Sequence, residues 1–140
     1  MKVLILNILL ISMSCNQTKT VVQTNTNQEL RGNFMVTSIN QQAVNGKQPT
    51  LSFNDKTKTV SGNAGCNSYG GNYTLEGETL TFGLFRKTEM YCDEPVMQIE
   101  KSFFTALSQT HRFSLDSKNK VLLFYDKDNN IVLEAKNMFE

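Results

Sequence analysis

Hydrophobic and polar residues alternate along most of the chain after Leu30, which is the pattern of short β-strands with one buried face. The clearest example is the run Leu80, Phe82 and Leu84, in which a small or polar residue separates the apolar positions. Turn-forming residues such as Gly, Pro, Asn and Asp interrupt the alternation at short intervals. The pattern predicts about eight strands, at residues 34–39, 51–53, 57–62, 73–75, 80–84, 113–115, 121–125 and 131–135.

The period becomes helical between residues 93 and 108. Asp93 stands where it can cap the helix, and Pro95 falls in the first turn, where a helix tolerates proline. Five apolar residues at helical spacing form one stripe: Val96, Ile99, Phe103, Ala106 and Leu107. Five strands before a single helix and three after it are typical of an α+β fold. We therefore expect a strongly curved antiparallel sheet or half-open barrel around the helix.

The first fourteen residues have the features of an export signal. A short, positively charged start precedes an apolar run, Val3–Ile11, that is too short to cross a bilayer. The tetrapeptide Ser12–Cys15 resembles the lipobox of bacterial lipoproteins, with Ser12 where Leu is usual. The segment predicts a signal peptide at residues 1–14 and a lipid on Cys15. An ordinary signal peptide and a short buried strand or helix are the alternatives.

The segment after Cys15 is polar. Residues 16–28, NQTKTVVQTNTNQ, contain only Val21 and Val22 as apolar positions. Such a segment buries too little apolar surface to offset the entropy lost on ordering it. The composition predicts a lipidated flexible tether at residues 15–29 and, as the length of the chain suggests, a single folded domain at residues 30–140.

The charge of the chain argues against one class of partner. The 14 basic and 13 acidic side chains are interspersed along the sequence. No basic patch alternates with aromatic residues, so we expect no nucleic-acid partner. Cleavage before Cys15 would remove one Lys and leave an almost neutral domain, without electrostatic attraction to an anionic membrane surface.

The most unusual segment is Gly62–Tyr73, which holds four glycines within ten positions. Glycines at this density indicate positive φ angles or close backbone approach. A phosphate-binding loop would need Lys followed by Ser or Thr after its last Gly, and neither follows here. We therefore interpret the segment as bulges and a tight corner between two strands, with Cys66 in the middle.

Three segments of the chain carry Gly, Cys, aromatic and other residues at a distinctive spacing: Gly62, Gly65, Cys66, Asn67, Tyr69, Gly71, Tyr73, Thr88, Met90, Cys92, Met97, Glu100 and Phe103. They fit the pattern G-x-A-G-C-N-x-Y/F-x-G-x-Y, then T-x-M-x-C, then M-x-x-E-x-x-F leading a helix. With this pattern the chain resembles the META/HslJ family of small bacterial envelope proteins. The likeness extends from about Leu30 to Ala135, and it departs from the family at Phe34, where Trp is usual.

The resemblance implies a half-open barrel around its helix, commonly behind a lipoprotein signal. It implies a link to stress response or envelope integrity, and in some members to antibiotic resistance or virulence, with no enzymatic activity or cofactor. We therefore expect a non-enzymatic envelope lipoprotein, held by Cys15 in the outer membrane and facing the periplasm. Its partner would be a protein or a hydrophobic ligand. The candidate contact residues, each of which has the core as its default place, are Phe82, Leu84, Phe85, Phe103 and Phe104.

The cysteines allow three interpretations. With Cys15 lipidated, two cysteines remain in an oxidising compartment, and the simplest is a Cys66–Cys92 disulfide. Two buried free thiols are the second, and a thiol enzyme that uses Cys66 or Cys92 with His111 is the third. Two Cys and one His at these spacings make a poor metal site, so no metal is expected. Residues 126–130 share part of a calcium-loop spacing but favour a hairpin turn.

Overall fold

The computed structural model of the protein describes residues 29–116 and 118–139. The predicted signal peptide, the lipid on Cys15 and most of the predicted tether lie outside these residues. Within them, no helix is both long and apolar enough to cross a membrane.

The described residues form one helix and ten strands. The helix, α1, spans Glu94–Gln109. The strands are β1 (Gly32–Ile39), β2 (Gln42–Ala43), β3 (Thr50–Asn54), β4 (Thr59–Asn63), β5 (Ser68–Glu76), β6 (Thr79–Phe82), β7 (Arg86–Lys87), β8 (Arg112–Asp116), β9 (Val121–Tyr125) and β10 (Ile131–Asn137).

Eight of these strands close into a ring of hydrogen bonds, in the order β1, β3, β4, β5, β6, β8, β9, β10 and back to β1. All the pairings are antiparallel. The ring is uneven, because β6 and β8 are in register only at Thr79 and Arg112. An adjacent hydrogen bond, 2.8 Å from the Leu80 N–H to the His111 carbonyl oxygen, completes that seam. The predicted α+β fold with a strongly curved sheet is confirmed.

The two strands that the alternation did not predict are two residues long and lie outside the ring. β2 pairs with the end of β1 through a tight turn at Asn40 and Gln41, whose φ angles are 47° and 64°. β7 pairs with the start of β5. Strands this short cannot show a period of two, so the sequence pattern contains no sign of them.

The predicted strand at residues 80–84 was too long. β6 ends at Phe82, and the Gly83 N–H donates a hydrogen bond to the Asn72 carbonyl oxygen (2.8 Å) as the chain leaves the strand. Leu84 is 96% exposed, so its default assignment to the core was wrong. The alternation extends one residue further than the pairing that would give it a buried face.

Helix α1 packs against β10, β1 and β6 and buries Val96, Phe103, Ala106 and Leu107 as predicted. Two details differ from the prediction. Ile99 is only half-buried, and the deep position next to it is occupied by Glu100. Asp93 is the N-cap residue, but its side chain makes no capping hydrogen bond. The helix is therefore held by its buried face rather than by its cap.

Phe53 lies at the centre of an aromatic cluster in the ring. Its ring centroid is 5.6 Å from that of Tyr73 and 6.2 Å from that of Phe124, both in edge-to-face geometry. Phe34 and Phe82 complete the cluster at 6.3 and 6.4 Å. Since the five residues come from five different strands, the cluster links strands from all round the ring.

We expect Phe53→Ala to lower the free energy of unfolding by about 3–5 kcal/mol, because it removes a large side chain from a packed interior. Urea unfolding followed by circular dichroism measures the loss. The matched control is Met35→Ala on the neighbouring strand β1, where 37% of the residue is exposed. Equal losses for the two variants would contradict the central place of Phe53.

Candidate functional site

The corner after β4 brings the motif segments together at Asn67, which is 1% exposed. The Asn67 Oδ1 accepts hydrogen bonds from the Met90 N–H (2.6 Å) and the Thr88 hydroxyl (2.8 Å). Its Nδ2 donates to the Met90 carbonyl oxygen at 3.2 Å. The side-chain amide therefore binds the main chain of Met90 on both sides, as a neighbouring strand would. It fixes a segment that has no regular secondary structure between β7 and α1.

Glu100 supports Asn67 from the helix. Its side chain is 2% exposed. The Glu100 Oε2 accepts the Asn67 N–H (2.9 Å) and Nδ2–H (3.1 Å), and Oε1 accepts the Lys87 ammonium (2.7 Å). A buried carboxylate is stable only when it is paired and fully hydrogen-bonded, and here both oxygens are engaged. Helix α1, the Gly-rich corner and β7 are thus joined at one side chain. We call Asn67, Lys87, Glu100 and the main chain of Met90 the Asn67 cluster.

The electrostatics of Glu100 follow from these contacts. Burial by itself would raise the pKa of Glu100, but the hydrogen bonds from Lys87 and Asn67 and the positive charge of Lys87 outweigh it. The pKa of the carboxyl group is therefore held below its ordinary value of 4.5. The site is ionised at neutral pH and acts as a structural anion.

The predicted Cys66–Cys92 disulfide is confirmed and closes the same corner. It connects the Gly-rich segment to the residue before the helix cap, across 26 positions of sequence. Both sulfurs are consumed, so neither cysteine is the free thiolate that a thiol enzyme would need. His111 lies at the other end of α1, where its main chain bonds to Leu80 and Tyr125.

Two motif glycines permit close approach of other parts of the chain. A Cβ atom on Gly62 would lie 2.1 Å from the Thr50 carbonyl oxygen, and one on Gly71 would lie 2.7 Å from the Phe85 ring. Gly65, in the corner itself, has a φ angle of +108°, which favours glycine. The glycines therefore allow close packing in and around the corner. The predicted tight corner is confirmed, but the predicted bulges are absent, because β4 and β5 pair in one unbroken register from Thr59–Asn72 to Asn63–Ser68.

The remaining motif residues divide between the core and the surface. Tyr69, Tyr73 and Phe103 are buried, and the Tyr69 hydroxyl donates to the Thr50 carbonyl oxygen at 2.8 Å. Met97 is half-buried on α1. Met90 is the exception: its main chain is held by Asn67, yet the residue is 59% exposed.

Sequence reasoning missed Lys87, the cation of the cluster. It lies one residue before the T-x-M-x-C segment and outside the motif. The sequence did contain one indication of such a cation. Glu100 lies beside the apolar stripe of a helix, and a carboxylate that is buried there requires a cation or several hydrogen-bond donors. Which of the lysines and arginines supplies that cation depends on the tertiary fold.

Residues 84–91 lie between β6 and α1, include β7 and carry both apolar and charged exposed side chains; we call this segment the 84–91 loop. Leu84 is 96% exposed, Tyr91 is 87% exposed and Met90 is 59% exposed. Phe85 points the other way and packs against Tyr69, with the ring centroids 5.5 Å apart. The loop thus has a partly buried anchor in Phe85 and three exposed apolar side chains.

The side chain of Asp126 organises residues 126–130, the segment that shares part of a calcium-loop spacing. Its Oδ1 accepts the N–H groups of Asp128 (2.9 Å) and Asn130 (2.8 Å). Its Oδ2 accepts the Asn130 side-chain amide at 3.0 Å. The segment is a hairpin turn between β9 and β10, as predicted.

Comparison with known families gives a match to the META domain over residues 27–138. The chain belongs to the META domain family. META domains are not known as an enzyme family. The match covers the whole ring of strands, α1 and the Asn67 cluster. A search of curated proteins found no match to this chain.

Solved structures share the fold of this META domain. An NMR structure of a protein from Burkholderia xenovorans is 25% identical, with a TM-score of 0.64, and the match covers 78% of this chain and 83% of that one. A crystal structure of a DUF4847 family protein from Bacteroides vulgatus is 18% identical, with a TM-score of 0.52, over 66% of this chain and 61% of that one. The second likeness is one of fold alone.

We expect Glu100→Gln to lower the free energy of unfolding at pH 7 by about 1.5–3 kcal/mol, because it removes charged hydrogen bonds inside the protein. Because the folded pKa of Glu100 is depressed, its contribution is present above pH 4.5 and is lost as the pH falls through the folded pKa. Urea unfolding of both proteins from pH 7 to about pH 3 should therefore show a smaller difference in acid.

The control for this experiment is Glu78→Gln, which changes an exposed carboxylate in the turn between β5 and β6. It should leave stability nearly unchanged at both ends of the pH range. A difference between Glu100→Gln and the unchanged protein that does not shrink in acid would show that the charge of Glu100 is not what stabilises the corner.

Replacing both Cys66 and Cys92 with Ser should cost about 3 kcal/mol of stability, because the 26-residue loop is no longer closed in the unfolded chain. Urea unfolding of the oxidised protein and the double variant measures this. Amides of β9 and β10 that exchange only through global unfolding should accelerate by the factor that corresponds to the lost stability, and amides at residues 88–93 should accelerate at least as much, because the disulfide also restrains this segment locally. Unchanged exchange at residues 88–93 would contradict a role of the disulfide in holding the segment.

Proposed function

We propose that this META-domain protein is a non-enzymatic envelope lipoprotein that binds a partner protein through the 84–91 loop. The observation that carries the proposal is the contrast between the main chain of the loop, which is tied down, and its apolar side chains, which are exposed. Leu84 and Tyr91 are 96% and 87% exposed. Three restraints hold the loop: the β5–β7 pairing, Asn67 at Met90, and the disulfide at Cys92.

Restraint of this kind favours binding. A flexible loop loses conformational entropy when it docks, and a loop that is already held loses less. Exposed Tyr and Met side chains provide large contact areas, and aromatic residues are common at the centres of protein interfaces. Keeping three large apolar side chains in water has no benefit for folding, whereas a partner that covers them gains their burial.

A protein partner fits the loop better than a small hydrophobic ligand does. Small ligands bind in concave sites that surround them on several sides. Leu84 and Tyr91 instead are almost fully exposed, while Phe85 of the same loop packs against the core. A complementary concave surface is therefore expected on the partner.

The direction of the strands supports an arrangement in which the loop faces away from the membrane. The described chain begins beside β1, and β1 runs from there to the far end of the ring. The Gly-rich corner and the 84–91 loop lie at that far end, because β4 runs parallel to β1 and ends at the corner. With a lipid on Cys15, the predicted tether at residues 15–29 would have an extended reach of up to about 50 Å.

The role proposed for this contact is support of an envelope component during stress. It rests on the resemblance to the META/HslJ family, and the loop supplies the physical means. The outer membrane, with the domain facing the periplasm, is the proposed location.

The experiment places a photo-crosslinking amino acid at Leu84 and, separately, at Phe139, which is 66% exposed and lies at the end of β10. Crosslinking is done in intact cells that express the full chain. We expect one adduct of defined mass from position 84, none of that mass from position 139, and a loss of about tenfold when Tyr91→Ser is added. Thermal unfolding of Tyr91→Ser should match that of the unchanged protein.

Two results would overturn the proposal. One is the same adduct from both positions, and the other is full crosslinking at position 84 in the presence of Tyr91→Ser. Blocking lipidation with Cys15→Ser tests the location separately, because a protein that stays in the membrane fraction without the lipid is not held by Cys15.

A further inference from the structure

A second surface feature lies on another side of α1. A groove of about 310 Å³ separates the β1–β2 hairpin from the helix. The hairpin contributes Ile39, Ala43 and Val44 to its walls, and the helix contributes Gln98, Ile99 and Ser102. Phe104, which packs against Phe85 of the 84–91 loop, lies about 140° around the helix from Ile99. The groove and the loop are therefore distinct surfaces.

One wall of the groove is the free edge of a strand. Among the described strands, β2 pairs only with β1. The Val44 N–H donates to the Thr37 carbonyl oxygen at 3.0 Å, toward β1. In an antiparallel pair the direction of these groups alternates, so the N–H and C=O of the preceding residue, Ala43, point away from β1. The groove thus offers main-chain hydrogen-bonding groups at a strand edge.

The walls of the groove carry no charge. Nine residues line it, and all of them are uncharged, in a chain where 19% of residues are charged. Apolar side chains from both walls, at Ile39, Val44 and Ile99, stand among Asn, Gln and Ser side chains. A charged group placed here would lose hydration without gaining a counter-ion. The groove therefore suits an occupant that is uncharged and carries its own main-chain donors and acceptors.

We propose that the groove binds an uncharged, extended peptide segment of a partner protein, which adds to β2 as a further strand. Main-chain hydrogen bonds at a strand edge provide affinity, and side-chain contacts on alternate residues provide selectivity. Ile99 and Ser102 on the helix would contact those alternate residues. The site is independent of the 84–91 loop and adds a second contact for a partner at the far end of the ring.

The test is a titration of the isotope-labelled mature chain, residues 15–140 with Cys15→Ser, followed by amide NMR signals. The probe is an acetylated and amidated peptide of sequence Thr-Val-Thr-Val-Asn-Thr, and the matched charged peptide carries Glu in place of each Val. We expect saturable shifts at residues 42–45 and 98–102 and slower exchange of the Ala43 amide. The charged peptide should bind at least about tenfold more weakly.

Two variants test the two walls. Ala43→Pro removes the edge N–H and should weaken binding about tenfold. Exchange of the Val44 amide shows whether the hairpin is intact in that variant. Ser102→Glu introduces a charge from the helix side and should also weaken binding, while Thr105→Glu on the exposed face of the same helix should not.

Shifts confined to other residues, or equal binding by both variants and the unchanged protein, would overturn the proposal. So would a change in the groove signals, without peptide, when Val21→Asp and Val22→Asp are introduced together. That result would show that the occupant is residues 16–28 of the chain itself rather than a segment of a partner.

Discussion

The buried carboxylate of Glu100 is the contact on which the far end of the domain depends. It lies on the inner face of α1 and accepts hydrogen bonds from Asn67 in the Gly-rich corner and from Lys87 in β7. A carboxylate in this position must be fully satisfied, so its presence requires the corner and β7 to lie where they do. One charged group thereby sets the relative position of three elements that are distant in sequence.

The hydrogen bonds of Glu100 also affect the exposed 84–91 loop. Asn67 is itself held by Glu100, and its amide holds the main chain of Met90. The disulfide holds the chain again at Cys92, two residues after Met90. The side chains of Leu84, Met90 and Tyr91 thus extend from a main chain that is held at several points, although the loop contains no regular structure beyond β7. The buried cluster therefore holds the main chain that carries the exposed apolar side chains.

Much of the fold could be predicted from the sequence, because the strands of the ring follow the alternation of side chains. The α+β class, the main helix and the eight longer strands come from periods of two and of 3.6 residues. The predictions failed where local pattern and tertiary pairing diverged. Leu84 continues an alternation but lies beyond the strand, and Glu100 takes the deep position next to Ile99. In each case a contact from a distant segment decides which side chain is buried.

The sequence by itself determined the strand and helix periods and the glycine density of the corner, and it left a Cys66–Cys92 disulfide as the simplest of three interpretations of the cysteines. These properties depend on neighbouring residues and on residue counts. Only the tertiary structure decided that Lys87 is the partner of Glu100, that Asn67 binds Met90, and that β2 leaves an edge open beside α1. Lys87 and Glu100 are 13 positions apart, and Asn67 and Glu100 are 33 positions apart. Contacts over such separations depend on how the strands pair, which no local pattern of side chains encodes.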